Sequence, residues 1–223
     1  MMTQIQRLIA LIKDETLRKK VECIINDLQI EVNNKLSLEE SPGGAFQHHS
    51  YRGGLLQHTI SVTRIALLLS DLVEKLYGGT VNKDHVIAGT ILHDIMKCYT
   101  YTYDNKGEFT TSELGEKIDH LSLSVSEMYQ REFPIEVIHI VASHHGEASP
   151  VRPKTVEALI ISIADMADSE LNRRMLRAAE YLIRKTTENQ TKIKSSEEAL
   201  KILHIKKTEG WNGLRKLHAH KES

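Results

Sequence analysis

The chain has 223 residues, of which 40% are hydrophobic and 26% charged, proportions that are ordinary for a globular protein. Its formal net charge of −1 excludes the global basic field that drives nonspecific binding to nucleic acids. We expect a cytoplasmic protein with no membrane partner, because the sequence has no apolar run of roughly 18 residues, no signal-peptide core and no CxxC pair.

The N-terminal part predicts a helix or helix pair, here called the N-terminal helical extension, over about residues 1–40. Four apolar residues follow the i, i+3, i+4, i+7 pattern of an amphipathic helix: Ile5, Leu8, Ile9 and Ile12. The pattern repeats from Val21 after a break near Asp14. A loop at 41–44 and the pair Gly53-Gly54 then precede a long apolar helix, predicted from about residue 55 to 76.

The middle of the chain changes its period. A helix is predicted from about Lys83 to Lys97 and carries the pair His93-Asp94. After it, alternation from Tyr99 to Tyr103, a turn at 104–107 and the run 108–111 predict a β-hairpin.

Helical patterns resume near Asp119, after Pro134 and from about Lys154 to Thr186, and Ser195 opens a capping signal for a last short helix. No internal linker is long enough to separate two units, so residues 1–223 are predicted to form one all-α domain with a small hairpin. From Leu171 onward the chain has 13 Lys and Arg against 6 Asp and Glu. This basic C-terminal part either attracts phosphates or consists of solvated helix faces.

Histidines and aspartates spread along the chain are the candidate functional groups. Seven of them have side chains that suit Zn, Fe, Mn, Ni or Co: His58, His93, Asp94, His120, His144, His145 and Asp165. They are too many for one ion that must keep an open position, and about right for two ions that share a carboxylate. We therefore expect two divalent transition-metal ions as cofactors.

Each candidate has more than one interpretation. His93 and Asp94 are adjacent on a predicted helix, so both can reach one ion over that face. Lys97 lies one turn after His93, where it either neutralises phosphate charge or is a surface lysine. Asp165 lies inside an apolar helix, where a carboxylate needs a cation, a proton or strong donors. His58 is either a ligand or a core histidine.

The order of these groups resembles that of the HD superfamily of metal-dependent phosphohydrolases: His58, then His93-Asp94, then Asp165. The other histidines resemble the added ligands of its two-metal branches: His120 and His144-His145. Three segments are similar to the HD part of bacterial 3′→5′ exoribonucleases that carry a preceding OB-fold domain: residues 46–58, 143–146 and 149–168. The resemblance covers about residues 40–175.

The resemblance implies an HD-domain helical bundle, with an HD core at about 41–190 and a basic C-terminal segment at about 191–223. It assigns one ion to four residues: His58, His93, Asp94 and Asp165. It makes Asp94 a bridge to a second ion held by His120 and His144, with His145 as a further candidate ligand. Asp94 and Lys97 become the catalytic residues.

The implied function is a metal-dependent phosphohydrolase or phosphodiesterase that acts on a nucleotide or short oligonucleotide. Arg52 and Arg152 are candidate phosphate contacts. His49 and Tyr51 lie in the loop before His58, where they either shape the substrate pocket or only pack the loop.

Three alternatives remain open: a 3′→5′ exoribonuclease that takes single-stranded RNA, a di-iron HD-type oxygenase, and a non-catalytic nucleotide-binding module. Two departures from the family bear on them. Met96 stands where the family usually has glycine. The first 40 residues are predicted to be helical and provide no OB-fold platform, which favours short substrates. The sequence leaves the oligomeric state open.

Overall fold

The computed structural model describes residues 1–26, 36–44, 47–187 and 192–219. Within these ranges the helices and strands follow in this order: α1 (Met2–Ile9), α2 (Glu15–Asn26), α3 (Gly54–Leu76), α4 (Lys83–Leu92), α5 (Lys97–Thr100), β1 (Tyr101–Tyr103), β2 (Phe109–Thr111), α6 (His120–Gln130), α7 (Ile135–Ala142), α8 (Val156–Thr187) and α9 (Ser196–Ala219). The predicted fold class, all-α with a small hairpin, is confirmed. Parts of the predicted N-terminal extension, HD core and C-terminal segment, and Phe46 of the 46–58 motif, lie outside the described residues.

Helix α3 lies at the centre of the bundle and packs against α8 and α4, while α4 also packs against α7. Small and branched residues line these contacts; Val62 and Ala66 of α3 are fully buried with Ala164 of α8. Gly89 of α4 allows a close approach to α7, because a Cβ there would lie 2.4 Å from the Ile140 Cγ2 of α7. This packing fixes the distances between α3, α4, α7 and α8, and it thereby positions the candidate ligands that these helices and the turns after them carry.

The predicted continuous helix from Lys83 to Lys97 is wrong, because α4 ends at Leu92 and residues 93–96 form a turn. The His93 ring takes the Thr90 carbonyl as its acceptor, with Nδ1 and O 2.7 Å apart. From Leu92 onward the backbone bonds run from residue i+3 to i; one example joins the Lys97 N–H to the Asp94 carbonyl at 2.9 Å. This tighter winding places residues i and i+3 above one another, so Lys97 aligns with Asp94 rather than with His93.

The hairpin begins two residues later than predicted. Residues 99 and 100 belong to α5, and β1 pairs antiparallel with β2 in the register Tyr101↔Thr111. Tyr103 stacks on Phe109 with ring centroids 4.8 Å apart, which is a favourable cross-strand aromatic pair. The tyrosine alternation that predicted the strand therefore holds only for its last three residues.

The predicted last short helix is instead the longer segment α9, which consists of two helices joined at a kink where the Gly210 backbone is non-helical. Its start agrees with the capping signal: the Ser195 Oγ accepts from the Glu198 N–H at 3.1 Å. Helix α9 packs along α8 and buries a cluster that includes Tyr51 from the loop before α3. None of the helices in the described ranges is both long and apolar enough to cross a membrane.

Candidate metal centre

Asp94 lies where four helices meet. Its position in the turn after α4 brings it against histidines from α3, α6 and the end of α7, and it is 1% exposed. Asp119 caps α6 by accepting the Ser122 N–H at 2.7 Å, and this cap fixes His120 as the first residue of that helix. The centre is thus assembled from helix ends and turns that are held by the surrounding bundle.

The two carboxylate oxygens of Asp94 face different histidines. Oδ1 lies 3.2 Å from the His120 Nε2 and 3.6 Å from the His144 Nε2. Oδ2 lies 3.4 Å from the His58 Nε2 and 3.3 Å from the His93 Nε2. A carboxylate oriented in this way can donate one oxygen to each of two ions.

The first group of candidate ligands consists of His58, His93 and Asp165, whose ligand atoms all lie within 4.8 Å of one another. The His58 Nε2 is 3.2 Å from the His93 Nε2 and 3.1 Å from the Asp165 Oδ1. His58 and His93 face the Oδ2 side of Asp94, and Asp165 lies against His58. We call these three residues, together with Asp94, the first ligand group.

The second ligand group consists of Asp94, His120, His144 and His145, again with ligand atoms within 4.8 Å. Asp94 and His144 are buried, whereas His145 is exposed. Three buried atoms of this group have no hydrogen-bond partner in the structure: Asp94 Oδ1, His120 Nε2 and His144 Nε2. Unsatisfied buried polar atoms cost about 1–3 kcal/mol each, so their convergence fits a site for a cation.

Backbone and carboxylate acceptors fix the histidine tautomers so that Nε2 carries the lone pair. The His93 Nδ1 donates to the Thr90 carbonyl, and the His144 Nδ1 donates to the Val141 carbonyl at 2.6 Å. A carbonyl can only accept, so the proton must lie on Nδ1. Such outer contacts orient histidine ligands in metal sites.

Asp168 orients the His58 ring in the same way, because its Oδ2 lies 2.7 Å from the His58 Nδ1. It lies one helical turn from Asp165 on α8 and is 6% exposed. A carboxylate that accepts from the far nitrogen raises the basicity of the near one. From the sequence, Asp168 is either a residue that supports the ligands from behind, which is the favoured interpretation, or a residue of the helix surface; in the structure it is buried and contacts His58.

The electrostatics of the first group are dominated by burial and by its carboxylates. Burial opposes a charge on His58, but hydrogen bonds to Asp165, Asp168 and Asp94 outweigh it and raise the His58 pKa well above its ordinary value. Burial likewise opposes ionisation of Asp94, but the charge of Lys97 and the nearby His93 hold its pKa well below the usual range. The protein without metal therefore holds a proton on His58 between ionised carboxylates.

Lys97 is a buried counter-charge to Asp94. Its Nζ lies 2.5 Å from the Asp94 Oδ2 and 2.6 Å from the Gly43 carbonyl, and the residue is 5% exposed. Burial lowers the Lys97 pKa, but the Asp94 charge more than compensates and raises it. The surface interpretation of Lys97 is therefore wrong, because its head group does not reach solvent.

The predicted substrate contacts are dispersed. His49 is 2% exposed and its Nε2 lies 3.5 Å from the Asp168 Oδ2. The Tyr51 hydroxyl is buried against the Gln57 Oε1 at 2.5 Å. Arg52 and Arg152 have largely exposed side chains paired with Glu40 and Glu147, respectively. Substrate binding by these four residues stays a prediction.

His48 is a neighbour of the first group that the sequence analysis left out. Its ring centroid is 5.0 Å from that of His58, and it forms a third cluster of close ligand atoms with His49 and His58. Burial, assisted by the His58 charge, lowers the His48 pKa to about 3 and keeps the ring neutral. The doublet His48-His49 in the sequence was the available signal.

Comparison with known proteins gives one family and two kinds of relative. The profile of the HD domain family matches residues 55–170. The chain is 45% identical over 212 residues to the dihydroneopterin 2′,3′-cyclic phosphate phosphodiesterase of Methanocaldococcus jannaschii, covering 92% of this chain and 85% of that protein. It is 32% identical over 142 residues to the 3′-5′ exoribonuclease YhaM of Listeria welshimeri, covering 59% of this chain.

The chain spans only 43% of the length of that exoribonuclease. Among solved structures, the HD domain of the L. monocytogenes phosphodiesterase PgpH aligns over 92% of this chain and 99% of that one, at 16% identity and a TM-score of 0.39.

Proposed function

This chain belongs to the HD domain family, and we propose that it is a metal-dependent phosphodiesterase that hydrolyses a small cyclic phosphodiester at a two-metal centre. The observation that carries the proposal is the orientation of Asp94, whose oxygens face the two ligand groups separately. An ordinary buried carboxylate needs one cationic partner. Asp94 already has Lys97 and still faces four imidazoles.

We propose that the first ligand group holds one ion and that the second holds another, with Asp94 shared between them. The donor set of imidazoles and carboxylates fits Mn, Fe, Co, Ni or Zn. Its fit to an ion is supported by the fixed Nε2 lone pairs of His93 and His144 and by the three unpartnered atoms of the second group. His145 is the most exposed member, so we assign it the side of the centre that faces substrate.

When bound, two such ions supply a hydroxide nucleophile at neutral pH and neutralise charge on phosphate oxygens. The protein's own residues supply orientation and charge balance. Asp168 and the Thr90 carbonyl hold His58 and His93 in one tautomer and one orientation. Lys97 stays protonated beside Asp94 and adds a positive charge that we propose acts on the phosphoryl oxygens in the transition state.

The substrate class follows from similarity and from composition. The relative at 45% identity acts on dihydroneopterin 2′,3′-cyclic phosphate, a cyclic phosphodiester attached to a small heterocycle. Only three Phe and one Trp occur in the chain, which provides little for stacking successive bases of a long strand. We therefore propose that a 2′,3′-cyclic phosphate of a pterin or a nucleoside is the preferred substrate, ahead of short oligonucleotides.

A substrate panel tests this proposal. Protein reconstituted separately with Mn, Fe, Co, Ni and Zn is assayed with dihydroneopterin 2′,3′-cyclic phosphate, nucleoside 2′,3′-cyclic phosphates, a dinucleotide and a phosphomonoester. We expect the cyclic phosphodiesters to be hydrolysed fastest. Turnover of the phosphomonoester alone would contradict the proposed bond type, and no turnover with any metal would contradict enzymatic function.

The exoribonuclease alternative is tested in the same assay with a long single strand across a salt series. Processive degradation of a strand depends on many phosphate contacts and therefore falls steeply with salt. The similarity to YhaM covers less than half of that protein, and the chain's net charge is −1. We expect the cyclic substrate to be preferred at every salt concentration; efficient, salt-sensitive degradation of the long strand would reverse this order.

A further inference from the structure

Asn172 lies at the centre of a buried hydrogen-bond network behind the metal centre. Its Oδ1 accepts the His49 N–H at 2.6 Å, and its Nδ2 donates to the Tyr51 Oη at 3.0 Å and to the Ser196 Oγ at 2.8 Å. Asn172 is 2% exposed. A backbone N–H can only donate, so the amide orientation is fixed with Oδ1 toward His49. The side chain thus joins the loop before α3 to the first residue of α9.

The position of Asn172 on α8 links this network to the ligands. Asp165, Asp168 and Asn172 are spaced i, i+3 and i+7, which places all three on one face of the helix. The first belongs to the first ligand group and the second orients His58. The third anchors the loop that carries His49.

His49 needs such an anchor because its backbone is in the left-handed region, with φ of 46°. This conformation is unfavourable for a residue with a side chain and persists only when its surroundings hold it. Two glycines allow the loop to pack closely around it: a Cβ on Gly43 would lie 2.7 Å from the His49 Cβ, and one on Gly54 would lie 2.0 Å from the His49 carbonyl. The loop therefore turns the His49 ring to within 3.5 Å of Asp168.

Ser196 extends the network beyond the residues that match the HD domain family. It is the first residue of α9, lies 26 positions after residue 170, and is 7% exposed. Its Oγ also lies 2.6 Å from the Tyr51 Oη and 3.2 Å from the Gln57 Oε1. The start of α9 is thus hydrogen-bonded to the first turn of α3, one residue before His58.

We propose that Asn172 and Ser196 are positioning residues of the active site, which hold His49 in its left-handed conformation and make α9 part of the support of the catalytic centre. Their hydrogen bonds run to the His49 backbone, to Tyr51 and to Gln57, and not to a member of either ligand group. Their kinetic effect rests on the proposed phosphodiesterase activity, whereas their effect on the His49 backbone does not. The test therefore measures both the kinetic effect and the effect on the His49 backbone.

The test compares Asn172→Leu, Ser196→Ala and Ser196→Thr with Ser70→Ala as a matched control. Ser70 is a fully buried serine of α3, twelve residues and roughly 18 Å along the helix from His58, so its loss removes a hydroxyl of the same kind far from the centre. Hydrogen exchange is measured by mass spectrometry on the peptide spanning residues 47–53. Metal content, kcat and KM with the cyclic substrate are measured on the same preparations.

We expect amide exchange in 47–53 to accelerate roughly tenfold or more in Asn172→Leu and Ser196→Ala, because each leaves part of the network unpaired. KM should rise roughly tenfold with metal content unchanged, and Ser196→Thr, which keeps a hydroxyl, should recover most of the loss. Ser70→Ala should change none of these values. Ser196→Ala decides the matter if Asn172→Leu does not fold.

Unchanged exchange in 47–53 in the folded variants would overturn the proposal. Accelerated exchange without a rise in KM would also overturn it, because the network would then be structural only. If the wild-type protein hydrolyses no phosphodiester, the proposed function fails by itself, and protection of residues 47–53 by Asn172 and Ser196 is still decided by the exchange data.

Discussion

Replacing Asp94 with alanine separates its two roles as the shared ligand and as the partner of Lys97. Asp94 and Lys97 are 1% and 5% exposed and their charged atoms lie 2.5 Å apart. Removing one member of a buried ion pair costs about 3–5 kcal/mol, because the other charge remains buried. The Gly43 carbonyl, 2.6 Å from the Lys97 Nζ, still accepts from it, so we expect about 3 kcal/mol.

The double variant Asp94→Ala/Lys97→Met is the control for the stranded charge. It removes both charges and keeps most of the apolar stem of the lysine, so it should recover about 2 kcal/mol of the loss in the metal-free protein. Urea unfolding of chelator-treated protein at pH 7 measures the free energy of unfolding of the wild type and both variants. Working without metal removes ligand stabilisation from the comparison.

Metal analysis after reconstitution completes the experiment. Both variants should lose the shared ligand and therefore both ions, and neither should turn over substrate. A wild-type metal content in Asp94→Ala would refute the two-metal assignment. Equal stability of the single variant and the wild type would refute the conclusion that Lys97 depends on Asp94 for its buried charge.

Three further predictions follow from the same geometry. His120→Ala should lose mainly the second ion, as measured by metal analysis. The control variant His85→Ala replaces a partly exposed α4 histidine outside both ligand groups and should keep both ions. Lys97→Met should keep its metals but lower the rate by roughly 10²–10³-fold; an unchanged kcat would remove it from catalysis. Because the His58 pKa is raised in the metal-free protein, metal binding at pH 7 should release a proton and tighten as pH rises, which calorimetry in buffers of different ionisation enthalpy would detect.

The helices were predictable because each buries an apolar face whose spacing is visible in the sequence. The ends of the helices were not, because they depend on single contacts. The end of α4 at Leu92 follows from a bond between the His93 ring and the Thr90 carbonyl, and apolar periodicity carries no record of such a bond. The length of α9 was missed for a similar reason: Gly210 interrupts its pattern, while packing on α8 holds both halves.

The candidate ligands could be chosen from the sequence because a buried carboxylate or imidazole needs a partner, and a metal ion is one such partner. Their division into two groups came only from the resemblance to the HD superfamily, because residue spacing does not say which Asp94 oxygen faces which histidine. Asn172 could have been found, since it continues the i, i+3, i+7 series begun by Asp165 and Asp168. It was overlooked because an amide, unlike a carboxylate, suggests no metal chemistry.

The break after α4 has a chemical consequence that a continuous helix would not provide. In an unbroken α-helix Lys97 would be one turn from His93 and would align with that ring rather than with Asp94. The tighter winding from Leu92 places it over Asp94 instead, where it offsets the negative charge of the carboxylate that faces all four histidines. In the proposed two-metal centre we expect this fixed positive charge to weaken the binding of further cations and to favour a phosphate anion. The family position held here by Met96, 1% exposed, lies inside this turn, so its larger side chain is accommodated by the core rather than at the mouth of the centre.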